Sequence, residues 1–179
     1  MLRTLVALSR NAMEKIIVAA KSDNNVIGRN GDVPWHLPAD LAFFEHTISD
    51  GWLLSGRRSY ESAQGDFIFK KGRKTIIITR QKDYKAPDAI IANAVIEGIE
   101  KAATAGAPKL YILGGGEIYT QALNLADKLI ITEIHTIIKD GDTYFPEIDL
   151  EKWRETSRES HSKDAENPYD YSFVIWKQR

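Results

Sequence analysis

Asp40 is the acidic residue best suited to proton chemistry, because its position predicts a carboxylate that faces an apolar surface. Pro38 fits the first position of a helix, where the N–H that proline lacks would have no partner. From that start Asp40 and Phe44 share one side of the helix, and Leu41, Phe44 and Ile48 form an apolar face. The alternative is that Asp40 is simply an acid favoured by the helix dipole in a first turn.

Arginines and hydroxyl side chains follow two predicted strands at the points where those strands end. The buried strand 52–55 runs into Gly56, Arg57, Arg58 and Ser59, and the strand 74–79 runs into Thr79 and Arg80. Because parallel strands end at one edge of a sheet, these charge-assisted donors can meet there around a phosphate. The alternative is that the paired arginines belong to a solvated turn.

Three successive glycines, Gly114 to Gly116, separate a strand at 110–113 from a helix that reaches about residue 123. Glycine lets the backbone approach a pyrophosphate closely, and the start of the following helix offers N–H groups. The G-x-G-x-x-G template is matched at Gly114 and Gly116, but Tyr119 occupies its third glycine position. The stretch is therefore a partial dinucleotide-binding motif.

The composition fits a single domain, and neither its hydrophobic content nor its net charge is extreme. Its 179 residues, 43% of them hydrophobic, can build a sizeable core, and the sequence suggests no membrane span. A formal net charge of -1 gives no overall field for nucleic acid. The absence of cysteine excludes disulfides and fits a cytoplasmic location, and the scattered histidines predict no metal site.

The remaining patterns predict alternating strands and helices, and thus an α/β fold. A buried central strand is expected at 16–20, the helix of Asp40 at 38–49, and a functional lid in the aperiodic stretch 26–35. Further elements are expected at 89–92, 94–105 and 128–134, with a hairpin of 153–161 and 171–176 at one edge. Residues 1–13 are interpreted as an N-terminal extension or as preceding an alternative start, and 14–179 as one domain.

These motifs occur in the order and approximate spacing found in dihydrofolate reductase. They are Val33-Pro34-Trp35-x-Leu37-Pro38-x-Asp40-Leu41-x-x-Phe44, Gly56-Arg57-x-Ser59-Tyr60-Glu61-Ser62, Gly72-Arg73-Lys74, Gly114-Gly115-Gly116-x-x-Tyr119, Thr132 and Gly141-Asp142-Thr143-x-Phe145-Pro146. Over about residues 16–176 the chain resembles a bacterial-type member of that family. The resemblance implies a mostly parallel, eight-stranded central sheet flanked by helices. It also implies reduction of 7,8-dihydrofolate to tetrahydrofolate by NADPH, with antifolate-type inhibitors as further ligands.

The resemblance implies a substrate site centred on Asp40, which would hydrogen-bond the pterin 2-amino group and N3 with support from Thr132. Trp35 would position the water that brings a proton to N5. The other implied substrate residues are Phe44, through its ring, Val18 and Leu113, through their carbonyl groups, and Arg73, through the guanidinium that binds the glutamate α-carboxylate.

The resemblance also implies a cofactor site. Ala20 and Ile27 match the backbone positions that hold the nicotinamide carboxamide. The pyrophosphate and nicotinamide walls would be Gly114, Gly115, Gly116 and Tyr119, the adenosine phosphates would contact Arg57, Arg58, Ser59, Thr79 and Arg80, and Gly56, Glu117 and Ile118 complete the cofactor-binding set.

Three features depart from the family pattern. The segment 63–71 is longer than usual and free of proline, where the resemblance places the benzoyl pocket. Ser55 replaces a usual apolar residue and changes the packing beneath the cofactor. Val33 stands in the lid where many bacterial members carry Met or Leu.

Two other functional classes make different demands on the sequence. A sister reductase acting on a ribosylated pyrimidine would share the nucleotide side but not the segment 35–44 together with Arg73. A non-catalytic folate- or nucleotide-binding module would have lost the acid or the cofactor residues, and this chain keeps both. We therefore expect a monomeric reductase without a nucleic-acid partner.

Overall fold

Strands and helices alternate along the chain in a computed structural model that describes residues 12–69 and 72–179. The strands are β1 (Glu14–Ser22), β2 (Val26–Gly28), β3 (Trp52–Gly56), β4 (Thr75–Ile78), β5 (Ala89–Ala92), β6 (Lys109–Ile112), β7 (Lys128–Ile134), β8 (Thr143–Tyr144), β9 (Trp153–His161) and β10 (Tyr171–Gln178). The helices are α1 (Pro38–Thr47), α2 (Arg57–Glu61), α3 (Ala63–Phe69), α4 (Val95–Thr104) and α5 (Gly116–Ala122).

Eight strands form one sheet in the order β5-β4-β3-β6-β1-β7-β10-β9. The pairs from β5 to β7 are parallel, whereas β10 is antiparallel to both β7 and β9. The predicted mostly parallel eight-stranded sheet with a C-terminal antiparallel hairpin is therefore confirmed. The parallel strands β1, β3, β4, β6 and β7 all end at one edge, where ligands of such sheets bind.

Both faces of the central strands are buried, and the side chains of β1 divide between these two faces. Ile17 and Ala19 pack in the cluster that includes α4 and α5, while Ile16 and Val18 pack in the cluster that includes Ile48 and Phe69. The alternation follows from the period of two in a strand. A continuous apolar run is thus needed in a strand covered on both sides.

The structure corrects some sequence-based boundaries and adds elements. The first residues of the predicted lid form β2, which pairs with the short strand β8 in a separate two-stranded sheet. The unusual segment after residue 62 contains a helix, α3. Leu41, predicted to belong to the apolar face of α1, is 49% exposed. Most of the proposed N-terminal extension, residues 1–11, lies outside the described residues, and Met13 packs against the core.

Candidate active site

Asp40 lies in the first turn of α1 and is paired with Thr132 of β7. The residue keeps some exposed surface, but its carboxyl group is removed from water, and this desolvation raises its pKa from 3.8 to about 6. A hydrogen bond with the Thr132 side chain acts in the opposite direction and lowers the pKa. The result is a carboxyl group that can change its charge near neutral pH.

Tyr119 lies close enough to this acid for the charge of Asp40 to act on it. Its hydroxyl is buried and donates a hydrogen bond to the Val18 carbonyl oxygen at 2.8 Å. Burial raises the pKa of Tyr119, and the nearby charge of Asp40 raises it further. Tyr119 therefore stays a neutral hydrogen-bond donor at physiological pH.

Other predicted substrate residues pack around the same region. Phe44 and Leu113 contact the cluster that contains Val18, and Trp35 packs with Ala20 around Leu37. Phe43, beside Phe44, stacks on Phe173 of β10 with ring centroids 3.8 Å apart. These contacts hold α1 against the sheet, and Asp40 with it.

The carboxyl edge of the sheet carries a cavity of about 1080 Å³. Its walls include most of the predicted cofactor residues: Ile27, Gly56, Arg57, Arg58, Ser59, Thr79, Arg80, Gly115, Gly116, Glu117 and Ile118. The two strand ends rich in arginine and hydroxyl groups thus meet the triple-glycine turn in one space. This volume is slightly larger than the usual range for small-molecule and cofactor pockets, about 300–1,000 Å³.

The glycines of the turn are required by close neighbours. Gly114 has φ +99°, and a Cβ atom there would lie 2.7 Å from the ring of Tyr119. A Cβ atom on Gly116 would lie 2.9 Å from the carbonyl oxygen of Tyr144. Only glycine permits this backbone path along the cavity wall.

Two of the predicted phosphate ligands have acidic neighbours that the spacing had not suggested. The guanidinium of Arg57 binds Glu61 one helical turn later, with an N–O distance of 2.6 Å. Arg80 is 3.8 Å from Glu117, and both side chains are largely exposed. An incoming phosphate therefore competes with Glu61 for Arg57, whereas Arg80 is held only weakly.

The segment predicted to be a lid, between β2 and α1, is attached on both of its sides. The side chain of Asp142 accepts a hydrogen bond from the Asn30 N–H at 2.7 Å, and Arg29 contacts Asp140 at 3.0 Å. On the other side Gln64 of α3 donates to Asp32 at 3.0 Å. The lid thus bridges the loop before β8 and the unusual helix α3, and it lines the cavity.

Arg73 lies apart from the main cavity. It lines a neighbouring cavity of about 600 Å³, together with Trp52, Lys74 and Asp88. Phe69 lines both cavities, so it separates them. One guanidinium nitrogen of Arg73 donates to the Ile68 carbonyl at 3.0 Å, which fixes the arginine against the end of α3.

Asn167, in the loop between β9 and β10, supports the helix that carries Asp40. Its side-chain oxygen accepts the N–H of Ala39 at 3.0 Å, and its amide nitrogen donates to Asp164. The first residue before α1, Leu37, provides no side-chain cap of its own. Asn167 therefore caps α1 from a position 128 residues away.

We expect Asn167→Ala to lower the free energy of unfolding by about 1–2 kcal/mol, the usual cost of losing a helix cap. Urea denaturation at pH 7 would measure the change. The matched control is Asn124→Ala, an exposed asparagine whose removal should change stability by less than about 0.5 kcal/mol. Equal stability of the two variants would contradict the capping role.

The fold and the cavity define an α/β protein with a phosphate-binding type of site at the carboxyl edge of its sheet, and comparisons with known proteins identify its family. The family model for dihydrofolate reductase matches residues 15–178. A dihydrofolate reductase of Bacillus subtilis is 32% identical over 162 residues, covering 90% of this chain and 93% of the relative. One from Neisseria gonorrhoeae is 39% identical over 158 residues, covering 88% and 94%.

A solved structure agrees with these relatives. The dihydrofolate reductase from Enterococcus faecalis, complexed with NADP(H) and RAB-propyl, matches with a TM-score of 0.82 and 29% identity. The match covers 93% of this chain and 96% of that chain. The chain belongs to the dihydrofolate reductase family, as its motifs had indicated.

Two features are absent from the described residues 12–69 and 72–179, namely a metal-binding cluster and a helix that could cross a membrane. No group of three or more histidine, aspartate or glutamate side chains could hold a metal ion there. Within the same ranges, every helix is too short or too polar to cross a membrane.

Proposed function

We propose that this protein reduces 7,8-dihydrofolate to 5,6,7,8-tetrahydrofolate with NADPH. The observation that carries the proposal is a desolvated carboxyl group, Asp40, that lies near Tyr119, while the ring of Tyr119 contacts Gly114 beside a cavity lined by cationic and glycine-rich strand ends. The first feature suits a substrate that must gain a proton, and the second suits a phosphorylated dinucleotide. Family membership favours the same reaction.

On the substrate side, Asp40 binds the pterin ring through its carboxylate, and Thr132 orients that carboxylate by the hydrogen bond described above. We assign Trp35 to the water that delivers the proton to N5, and Phe44 to the face of the ring. The carbonyl groups of Val18 and Leu113 border the nicotinamide end of the pterin, and the buried Tyr119 hydroxyl fixes the first of them.

On the cofactor side, the donor set of the cavity fits NADPH. The hydroxyls of Ser59 and Thr79 with the guanidinium groups of Arg58 and Arg80 offer charge-assisted hydrogen bonds for phosphate. Gly114 to Gly116 carry no side chains, so their backbone can lie close to the pyrophosphate and to the nicotinamide. When bound, NADPH supplies the hydride for pterin C6, and the protein contributes orientation and the exclusion of water.

A direct assay tests the proposal. Protein mixed with NADPH and dihydrofolate should consume reduced nicotinamide and form tetrahydrofolate in equal amounts, as followed by absorbance and product chromatography. Replacing dihydrofolate by a ribosylated pyrimidine should give no turnover. Activity with the pyrimidine alone would assign the protein to the sister reductases instead.

The arginine and hydroxyl groups also predict cofactor choice. We expect a preference for NADPH over NADH of about a hundredfold or more, because two charge-assisted hydrogen bonds to the 2′-phosphate contribute about 1.5–3 kcal/mol each. The double variant Arg58→Ala with Arg80→Ala should lose most of this preference and keep its turnover at saturating cofactor. The ratio of kcat/KM for the two cofactors measures the effect.

The control for that double variant is Arg154→Ala with Lys177→Ala, which removes two exposed cations of β9 and β10 far from the cavity. Its cofactor preference should equal that of the wild type. If the Arg58 and Arg80 variant kept the original preference, the 2′-phosphate would have to bind elsewhere.

We further propose that residues 14–179 carry the whole activity, as a monomer in the cytoplasm. The family match begins at residue 15, and the cysteine-free sequence suits a reducing compartment. A chain that starts at Met13 should retain the kcat/KM of the full chain. Light scattering should give the mass of one chain, about 20.2 kDa.

A further inference from the structure

A buried hydroxyl group lies next to the cofactor cavity, near the end of β3. Ser55 is 0% exposed, and its Oγ donates a hydrogen bond to the Gly114 carbonyl oxygen at 3.0 Å. The backbone N–H of Gly56 donates to the same oxygen at 2.7 Å. The carbonyl of Gly114 therefore accepts two donors from the end of β3.

The surroundings of Ser55 are apolar, so its hydroxyl needs this acceptor. Leu53 and Leu54 precede it in β3, and Ile77 lies opposite it in β4. All three neighbours are completely buried. Because a buried hydroxyl without a partner costs free energy, the bond to Gly114 determines how the serine side chain points.

The hydrogen bond joins the two walls of the cavity. The wall after β3 begins at Gly56 and continues through Arg58 and Ser59, and the adjoining wall is formed by Gly115 and the start of α5. Gly114 has φ +99°, and the backbone of a glycine can also adopt many other conformations. The hydrogen bond from Ser55 to the Gly114 carbonyl excludes most of those other conformations. It thereby fixes the distance between the two walls.

We propose that Ser55 is a positioning residue for the cofactor, which holds the Gly114–Gly116 turn at the distance from the Gly56–Ser59 wall that a bound dinucleotide requires. The inference rests on the proposed function, because it concerns the NADPH site. Ser55 is completely buried and acts only through the turn. Its removal should therefore weaken cofactor binding and leave the chemical step unchanged.

The test is Ser55→Ala, assayed as the full chain with NADPH and dihydrofolate. We expect the KM for NADPH to rise about three- to tenfold, the range that corresponds to one neutral hydrogen bond. The kcat and the KM for dihydrofolate should stay within about twofold. Direct titration of NADPH by quenching of tryptophan fluorescence should show the same increase in Kd.

A fragment of the cofactor makes it possible to test the two walls of the cavity separately. Adenosine 2′,5′-bisphosphate would use the arginine and hydroxyl groups near Arg58 and Arg80 without reaching the glycine turn. Its Kd should differ by less than about twofold between the wild type and Ser55→Ala, because those side chains are unchanged. An equal loss for fragment and whole cofactor would mean that the wall after β3 has moved, which would overturn the inference.

Ser172→Ala is the matched control. Ser172 is also buried, at 1% exposed, in β10 of the same sheet, and its hydroxyl bonds with His135 and Ser160. Both variants should lose stability, but only Ser55→Ala should change the KM for NADPH. Ser55→Cys keeps the size of the side chain with a weaker donor, and it should raise the KM by a smaller factor. It replaces the alanine variant if that variant does not fold.

An unchanged KM and Kd for NADPH in Ser55→Ala would overturn the inference, as would an equal rise in Ser172→Ala. A loss of kcat at constant KM would also overturn it. A wild-type protein that binds NADPH but does not reduce dihydrofolate would contradict the proposed function instead, and the binding measurements would still decide the role of Ser55.

Discussion

Replacing Asp40 with asparagine is expected to lower kcat at pH 7 by about 10²–10⁴-fold, the usual contribution of a group that controls proton transfer. The amide keeps the shape of the carboxylate but lacks the negative charge that favours a protonated pterin. The Kd for NADPH should stay unchanged, because Asp40 lies in α1 and the cofactor cavity is built mainly from strand ends and their following turns. Steady-state kinetics from pH 5 to 8 would measure the loss.

The same variant should be more stable than the wild type at neutral pH. Burial raises the pKa of Asp40 from 3.8 to about 6, so the folded protein favours the protonated acid. Protonated Asp40 costs the folded protein no stability below about pH 4. As the pH rises to about 6 the buried acid ionises, and the free energy of unfolding falls. Since one pKa unit corresponds to about 1.4 kcal/mol, the wild type loses at most about 3 kcal/mol. The amide of Asp40→Asn does not ionise, so the unfolding free energy of this variant does not fall over the same pH range.

Urea denaturation at several pH values tests this second effect. The difference in unfolding free energy between Asp40→Asn and the wild type should grow between pH 4 and pH 6 and then remain constant.

The control for the loss of turnover is Glu45→Gln, which neutralises the other acid of α1 and should show ordinary turnover. Near-wild-type turnover of Asp40→Asn at pH 7 would remove Asp40 from the mechanism.

The sequence predicted those parts of the fold whose apolar pattern is strong. The strands β5 and β7 have the predicted bounds, because the segments 89–92 and 128–134 are rich in the β-branched residues that favour strands. The element predicted at 94–105 is the helix α4, whose inner face buries Val95, Ile99 and Ala102. In these segments local pattern and tertiary packing favour the same structure.

Contacts between distant segments could not be predicted in this way. The pairing of β2 with β8 involves only a few residues without a strand-like pattern, so tertiary structure determines it. The cap of α1 by Asn167 and the bond between Asp32 and Gln64 join residues far apart in sequence. Family motifs indicated the candidate site residues, but the contacts that hold the predicted lid and α1 could be seen only in the three-dimensional structure.

Arg73 is the residue for which structure and motif differ most, and its replacement should have the other large effect. If Arg73 binds the α-carboxylate of the substrate, Arg73→Leu should weaken dihydrofolate binding by about 2–5 kcal/mol, or about 30-fold to a few thousandfold. A pterin without the glutamate tail should bind almost as before. The arginine lines its own cavity behind Phe69, and its bond to Ile68 fixes the guanidinium there. The tail must therefore pass Phe69 to reach it.

Neighbouring cations provide the controls for this experiment. Lys74 lines the same cavity but is exposed, so Lys74→Leu should weaken dihydrofolate binding by less than about 1 kcal/mol. Arg73→Lys keeps the charge without the planar fork and should fall between the wild type and Arg73→Leu. Kd values for dihydrofolate and for the tail-less pterin should be measured for each variant. Equal losses for both ligands in Arg73→Leu would mean that the arginine only holds the end of α3 in place, and that the unusual segment 63–71 brings a different residue to the carboxylate.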